Sequence, residues 1–178
     1  MLEYQKLKTL VLDFYRDLEA ATPGTLEKVL KDYTLKDFQW YGVHPFGEQK
    51  GAEAVVQTFW NPFLDSWSRV QRRQDIFFAG TSEIDQTDWV VSMGHLRGLL
   101  DRSWLGIPPS RKMTFLRYAD FHCIEDGKIT RSAFFCDLIG VMHQQGIQPL
   151  PPQTGASFIY PGPQTHDGLQ LEPQDVEV

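Results

Sequence analysis

Near the start of the chain Leu7, Leu10, Val11, Phe14, Tyr15 and Leu18 recur at spacings of three and four. That period predicts a helix over about residues 3–20 with one apolar stripe. Pro23 and Gly24 stop it, and Thr25 is placed to cap a second short helix carrying Leu26, Val29 and Leu30. Phe38, Trp40 and Tyr41 read as a strand. The loop HPFGEQKG follows, and then Val55, Phe59 and Phe63 at spacings of four predict a third helix that Pro62 kinks or ends.

From Val70 the period changes to two. Strands are predicted over about residues 70–79, 87–100, 113–124 and 129–137, separated by Gly, Asp and Pro signals. Helices first and strands later favour an α+β fold, with three helices on one face of a curved antiparallel sheet, because a parallel sheet needs alternating order. After Gly146 the composition turns to Pro, Gly, Gln and Asp. The reading is therefore one domain over 1–147 and a tail over 148–178, disordered by composition apart from an apolar island at Phe158, Ile159 and Tyr160.

The chain has 178 residues, 42% of them hydrophobic and 13% aromatic, enough for one well-buried core. A net charge of −6 argues against nucleic acid and anionic membranes as partners, since Arg72/Arg73 and Arg111/Lys112 are short basic pairs. No apolar run reaches the length of a membrane span and MLEYQKLKTL has no signal-peptide core, so a cytoplasmic protein is expected. Cys123 and Cys136 are expected as reduced core thiols. The five histidines lack metal-ligand spacing, and no nucleophile elbow, phosphate loop or dinucleotide fingerprint occurs, so neither a metal nor a cofactor is predicted.

The candidate chemistry gathers in one hairpin. Glu125, Asp126, Gly127 and Lys128 form a two-residue turn whose central positions accept positive φ. Pairing Glu125 with Lys128 sets His122 against Arg131, Asp120 against Ala133, Tyr118 against Phe135 and Leu116 against Asp137. Alternation then puts Tyr118, Asp120, His122, Arg131, Ala133, Phe135 and Asp137 on one face. The two carboxylates would lie about 13 Å apart along a flat sheet, one deep in a pocket and one near its rim. Each has a plainer alternative: Asp137 as the N-cap of the helical segment LIGVMHQQG, and Asp120 facing solvent or paired with Arg131. His95, a polar residue among Val91, Met93 and Arg97, is either a pocket donor or a satisfied histidine. His44 either binds ligand or makes a turn with its Gly and Pro neighbours.

The ordered segments HPFGEQKGAEAV with FWNPF, GHLRG, GIPPSRK, FHCIEDGKI and CDLIGVMHQQG resemble the SnoaL-like polyketide cyclase branch of the nuclear transport factor 2-like superfamily, over about residues 5–147. The resemblance implies a cone-shaped α+β barrel around a hydrophobic pocket, commonly in a homodimer. It also implies ring closure of a polyketide by a cofactor-free aldol step. It makes Asp137 the acid/base, assisted by Asp120 or His122. The substrate-binding candidates are Trp40, His44, His95, Tyr118, Phe135 and Tyr15. Relatives similar to ketosteroid isomerases place an aspartate where Asp120 lies and a tyrosine on the first helix, where Tyr15 sits. The chain departs from the family in having Ala133 and Phe134 where many relatives carry a Trp-Asp pair. The alternative is a non-catalytic ligand-binding or dimerising module, or a subunit whose Phe158–Tyr160 island completes a partner's pocket.

Overall fold

The structure is a computed structural model that describes residues 2–152, 154 and 155. Helix α1 (Leu2–Ala20) buries Val11, Phe14, Tyr15 and Leu18, the stripe set by its sequence period. Helix α2 (Leu26–Tyr33) buries Leu26 and Leu30. Thr25 does not cap α2 through its side chain; its hydroxyl instead accepts the Thr22 backbone N–H at 2.9 Å. A third helical segment runs through α3 (Ala52–Val55), a π-helical stretch (Val56–Trp60) and α4 (Asn61–Ser66). Pro62 therefore does not end it. Pro62 sits in the first turn of α4, just after the widened π turn, where a missing N–H is tolerated.

Six strands form one sheet in the order β2-β1-β6-β5-β4-β3. They are β1 (Thr34–Gly42), β2 (Gly47–Lys50), β3 (Trp67–Thr81), β4 (Asp88–Leu100), β5 (Met113–Glu125) and β6 (Lys128–Cys136). The four late strands fall where the period of two puts them, whereas β2 lies inside the predicted loop. The sheet is mixed, not antiparallel throughout, because β1 pairs with β6 in parallel. The rule of helices first and strands later governs sequential strands; β1 precedes the third helix and docks in parallel on the free edge of β6, with β2 paired to its other side. Helix α5 (Leu138–Gln144) follows β6.

Two glycines explain the bend of the sheet. β3 is irregular between Ser68 and Gln71 and again between Gln74 and Ile76, and Gly98 and Gly94 of β4 lie beneath these places. A Cβ on Gly94 would stand 1.9 Å from the Arg73 carbonyl oxygen, and one on Gly98 would stand 2.9 Å from that of Ser68. Only glycine lets the bulged strand come so close. The concave side that results is filled with rings: Trp40 stacks on Phe134 at 6.0 Å, and Phe59 meets Phe46, Phe63 and Phe134 at 4.9–5.4 Å. The loop after β4 closes this core with Trp104 and Ile107, both buried and bridged to each other. Among the described residues no helix is long and apolar enough to cross a membrane. The Phe158–Tyr160 island lies outside the described residues.

Candidate functional site

The hairpin turn has the expected form, with Asp126 at φ 51° and Gly127 at φ 71°. Glu125 pairs with Lys128 and Ile124 with Ile129, but Cys123 then pairs with Arg131. Thr130 is an extra residue, a β-bulge, and beyond it every partner shifts by one. His122 faces Ser132, Asp120 faces Phe134 and Tyr118 faces Cys136. The face predicted from an unbroken register is thus corrected. Tyr118, Asp120 and His122 point into the cone with Ser132 and Phe134, while Arg131, Ala133 and Phe135 take the outer face. A one-residue slip exchanges the two faces of a strand because side chains alternate.

Around Asp120 a polar cluster assembles from α1, β3, β4, β5 and β6. Tyr15 Oη donates to Asp120 Oδ2 at 3.2 Å and lies 2.8 Å from His122 Nε2, which is itself 3.3 Å from Asp120 Oδ2. His122 Nδ1 is 2.7 Å from Ser132 Oγ. Arg72 reaches in from β3 with Nη1 3.8 Å from Asp120 Oδ2, and the side chains of Arg72 and Asp120 are only 4% and 6% exposed. The guanidinium lies between two rings, 3.7 Å from the Tyr15 centroid and 4.4 Å from that of Tyr118. Tyr118 Oη is 2.9 Å from Ser92 Oγ, which accepts from Gln74 Nε2 at 3.1 Å.

Burial, and next the Asp120 charge, push the Tyr15 hydroxyl well above its ordinary range, so it remains a donor at any physiological pH. For Arg72 burial acts downward, but the Tyr118, Tyr15 and Asp120 oxygens more than offset it and the cation is held more firmly than usual. Two polar atoms of the cluster are buried without a hydrogen-bond partner, Asp120 Oδ1 and Arg72 Nη1. Asp120 borders a cavity of about 20 Å³ walled by Phe38, Trp40, Phe59, Trp60 and Phe134. Arg72 borders a second, of about 40 Å³, walled by Leu18, Trp60, Leu64, Val70 and Leu96. Among the described residues no group of three or more His, Cys, Asp or Glu side chains could hold a metal ion.

The other candidates lie elsewhere. Asp137 caps α5, its Oδ1 accepting the Gly140 N–H at 2.8 Å, and its Oδ2 is 3.4 Å from Arg117 Nη2. It borders an open groove of about 400 Å³ on the outer side of the sheet with Met93, Arg117, Ala119, Phe135 and Cys136. Phe135 is 52% exposed there. His95 is on the same outer face, 3.4 Å from Asp75. His44 is exposed in the turn between β1 and β2. Both cysteines are free. Thus Tyr15, Trp40, Tyr118, Asp120 and His122 come together, and Asp137, Phe135, His95 and His44 do not join them. Arg72, Ser92, Ser132 and Trp60 were missed by sequence reasoning. For Arg72 a signal existed: in β3 it alternates in step with Val70, which marks it as inward-facing.

The α+β cone is the fold of solved nuclear transport factor 2-like and ketosteroid isomerase-like proteins. Within that class, the sequence model of the SnoaL-like polyketide cyclase family matches residues 9–145, and the chain belongs to that family. Among solved structures, a SnoaL-like polyketide cyclase by name from Jannaschia sp. CCS1 is 23% identical, with 82% of this chain and 94% of that one covered and a TM-score of 0.63. A protein named as a polyketide cyclase from Xanthomonas campestris is 17% identical, with 80% and 98% covered and a TM-score of 0.60. A ketosteroid isomerase-like protein from Catenulispora acidiphila, solved with trimethylamine, is 20% identical, with 78% and 97% covered and a TM-score of 0.51. No curated protein matches the sequence significantly.

Proposed function

We propose that this chain is a cofactor-independent acid/base enzyme acting on an apolar, carbonyl-bearing small molecule, by aldol cyclisation or isomerisation, with Asp120 as the proton-transferring group. The observation that carries this is that Asp120 borders an aromatic cavity with its buried Oδ1 unpartnered, while Oδ2 is fixed by Tyr15 and faced by His122. A carboxylate so placed has one oxygen anchored and one available to take an acidic C–H proton. Tyr15, still protonated, donates to whichever oxygen carries the charge, and the Tyr15–His122–Ser132 chain relays or orients the proton. Cavities of about 20 and 40 Å³ hold no ring-sized ligand, and pockets that do are on the order of 300 Å³ or more. Trp60 borders both cavities, so moving its ring is the shortest way to join them.

The test is hydrogen–deuterium exchange at the central carbon of apolar 1,3-dicarbonyl compounds, followed by proton NMR. The wild type should accelerate exchange and Asp120→Asn should abolish the acceleration with the fold retained. Exchange that survives Asp120→Asn removes Asp120 from the reaction. The filled interior favours one competing reading, a binding or dimerising module, and it predicts that dicarbonyl compounds bind without faster exchange. Both readings include a homodimer through the outer sheet face, supported by exposed Phe78, Met113, Phe115 and Phe135. Sedimentation of Phe135→Asp should then show monomer where the wild type shows dimer.

A further inference from the structure

Arg72 is the member of the cluster for which the proton-transfer reading gives no task. It leaves β3 between the two bulges, and its backbone N–H is taken by Glu19 Oε1 of α1 at 2.7 Å. Two rings clamp the guanidinium. Nη1 lies too far from Asp120 Oδ2 for a hydrogen bond and has none elsewhere, although the side chain is buried. A buried donor left open costs about 1–3 kcal/mol, and Arg72 borders a cavity from which a ligand oxygen would satisfy it.

Charge conservation says what that acceptor is. The one permanent cation of the cluster, Arg72, faces a single carboxylate, Asp120. A ligand that arrives with a carboxylate would place two negative charges against the single guanidinium in an aromatic interior. A neutral ligand that becomes an enolate does not. When Asp120 Oδ1 takes the proton, the C–H bond breaks, its electron pair moves onto the carbonyl oxygen, and Asp120 becomes neutral. The one negative charge has then passed from the carboxylate to the enolate, still beside Arg72.

We propose that Arg72 is a catalytic residue that binds the enolate oxygen through Nη1, and that the substrate is a neutral, apolar 1,3-dicarbonyl, ketone or ester, rather than a free keto acid. The inference rests on the acid/base role of Asp120. The apolar body of the ligand occupies the ring-walled cavity at Asp120, and the oxygen reaches Arg72 across the position of Trp60. Removing an oxyanion donor from such a site lowers turnover by about 10²–10³-fold.

The probe is 1-phenylbutane-1,3-dione, whose enolate has its own ultraviolet band, with benzoylacetate as the anionic counterpart. Wild-type protein should show the enolate band at a pH where the free diketone is mostly protonated, exchange its central C–H, and bind the diketone at least tenfold more tightly than benzoylacetate. Arg72→Met should lose the band and about 10²-fold or more of the exchange rate, and Arg72→Lys should restore part of both. Arg72→Met that is folded by near-ultraviolet circular dichroism and keeps the band and rate overturns the inference while leaving Asp120 in place. Should Arg72→Met not fold, the wild-type preference decides: tighter binding of benzoylacetate overturns the proposal. Wild-type protein with neither band nor exchange sinks the acid/base reading itself, and this inference with it.

Discussion

The buried Arg72–Asp120 pair gives the prediction with the most physical content. At 3.8 Å, with both side chains almost fully enclosed, the attraction at an effective dielectric constant of about 20 is roughly 4 kcal/mol. Removing one partner leaves the other charge stranded in an aromatic core, so Asp120→Asn and Arg72→Met should each cost about 3–5 kcal/mol. Arg72→Met also loses its stacking between Tyr15 and Tyr118, but that loss occurs with or without Asp120 and cancels in a double-mutant cycle. The double variant strands no charge. Its cost should fall short of the sum of the singles by about 2–4 kcal/mol. Urea unfolding at pH 7, followed by tryptophan fluorescence, measures all four corners. Singles that add to within about 0.5 kcal/mol would show that the two charges do not sense each other, and the charge-conserving picture of the site would fall with them.

Further outcomes follow from single positions. Gly94→Ala should destabilise the fold by about 1–3 kcal/mol, because its Cβ meets the Arg73 carbonyl, whereas Gly80→Ala, with nothing within 4 Å, should be near neutral in the same thermal melts. Asp137→Ala should lose about 1 kcal/mol with its helix cap, and its dicarbonyl exchange rate should match wild type; a large loss of rate without unfolding would return Asp137 to the site. Burial, opposed in part by Asp75, lowers the pKa of His95. As its folded pKa lies below the unfolded value of about 6.5, the unfolded chain takes the proton first as pH falls. The stabilising contribution of neutral His95 is therefore present above about pH 6.5 and lost below it. Melting temperatures from pH 8 to 5 should fall less steeply for His95→Gln than for wild type.

Most of the architecture was legible because it follows from period and punctuation. The stripe on α1, the four late strands and the Asp126–Gly127 turn need only local rules. What failed was the insertion of one residue at Thr130. An unbroken register puts Arg131 beside Ile129's face of the hairpin, pointing into an apolar core, and that conflict was the readable warning. Shifting by one instead sets Ser132 and Phe134 inside, with Ile129 still inward before the bulge. The same slip separates Asp137 from Asp120, so the prediction of two carboxylates on one face could not survive it. The site also draws in Tyr15 and Arg72, which lie 105 and 48 residues before Asp120 in the sequence. Their meeting depends on the bend at Gly94 and Gly98, which no local rule supplies.

The energetics of the cluster bear on whether it serves chemistry or merely fills space. Apolar residues could occupy the same volume, and replacing a buried ion pair with well-packed hydrophobic side chains is often neutral or stabilising by about 1–4 kcal/mol. This chain instead keeps a carboxylate, a guanidinium and two unfilled hydrogen-bonding atoms beneath a layer of Trp and Phe. Groups that raise the energy of the folded state are retained where activity needs them. Asp120→Leu combined with Arg72→Met separates the two roles. If the cluster is functional, this variant should be at least as stable as wild type in urea and should have no exchange activity. If the cluster is a structural device that holds α1 to the sheet, the same variant should unfold at lower urea than wild type, because Tyr15 and His122 lose the carboxylate that fixes them.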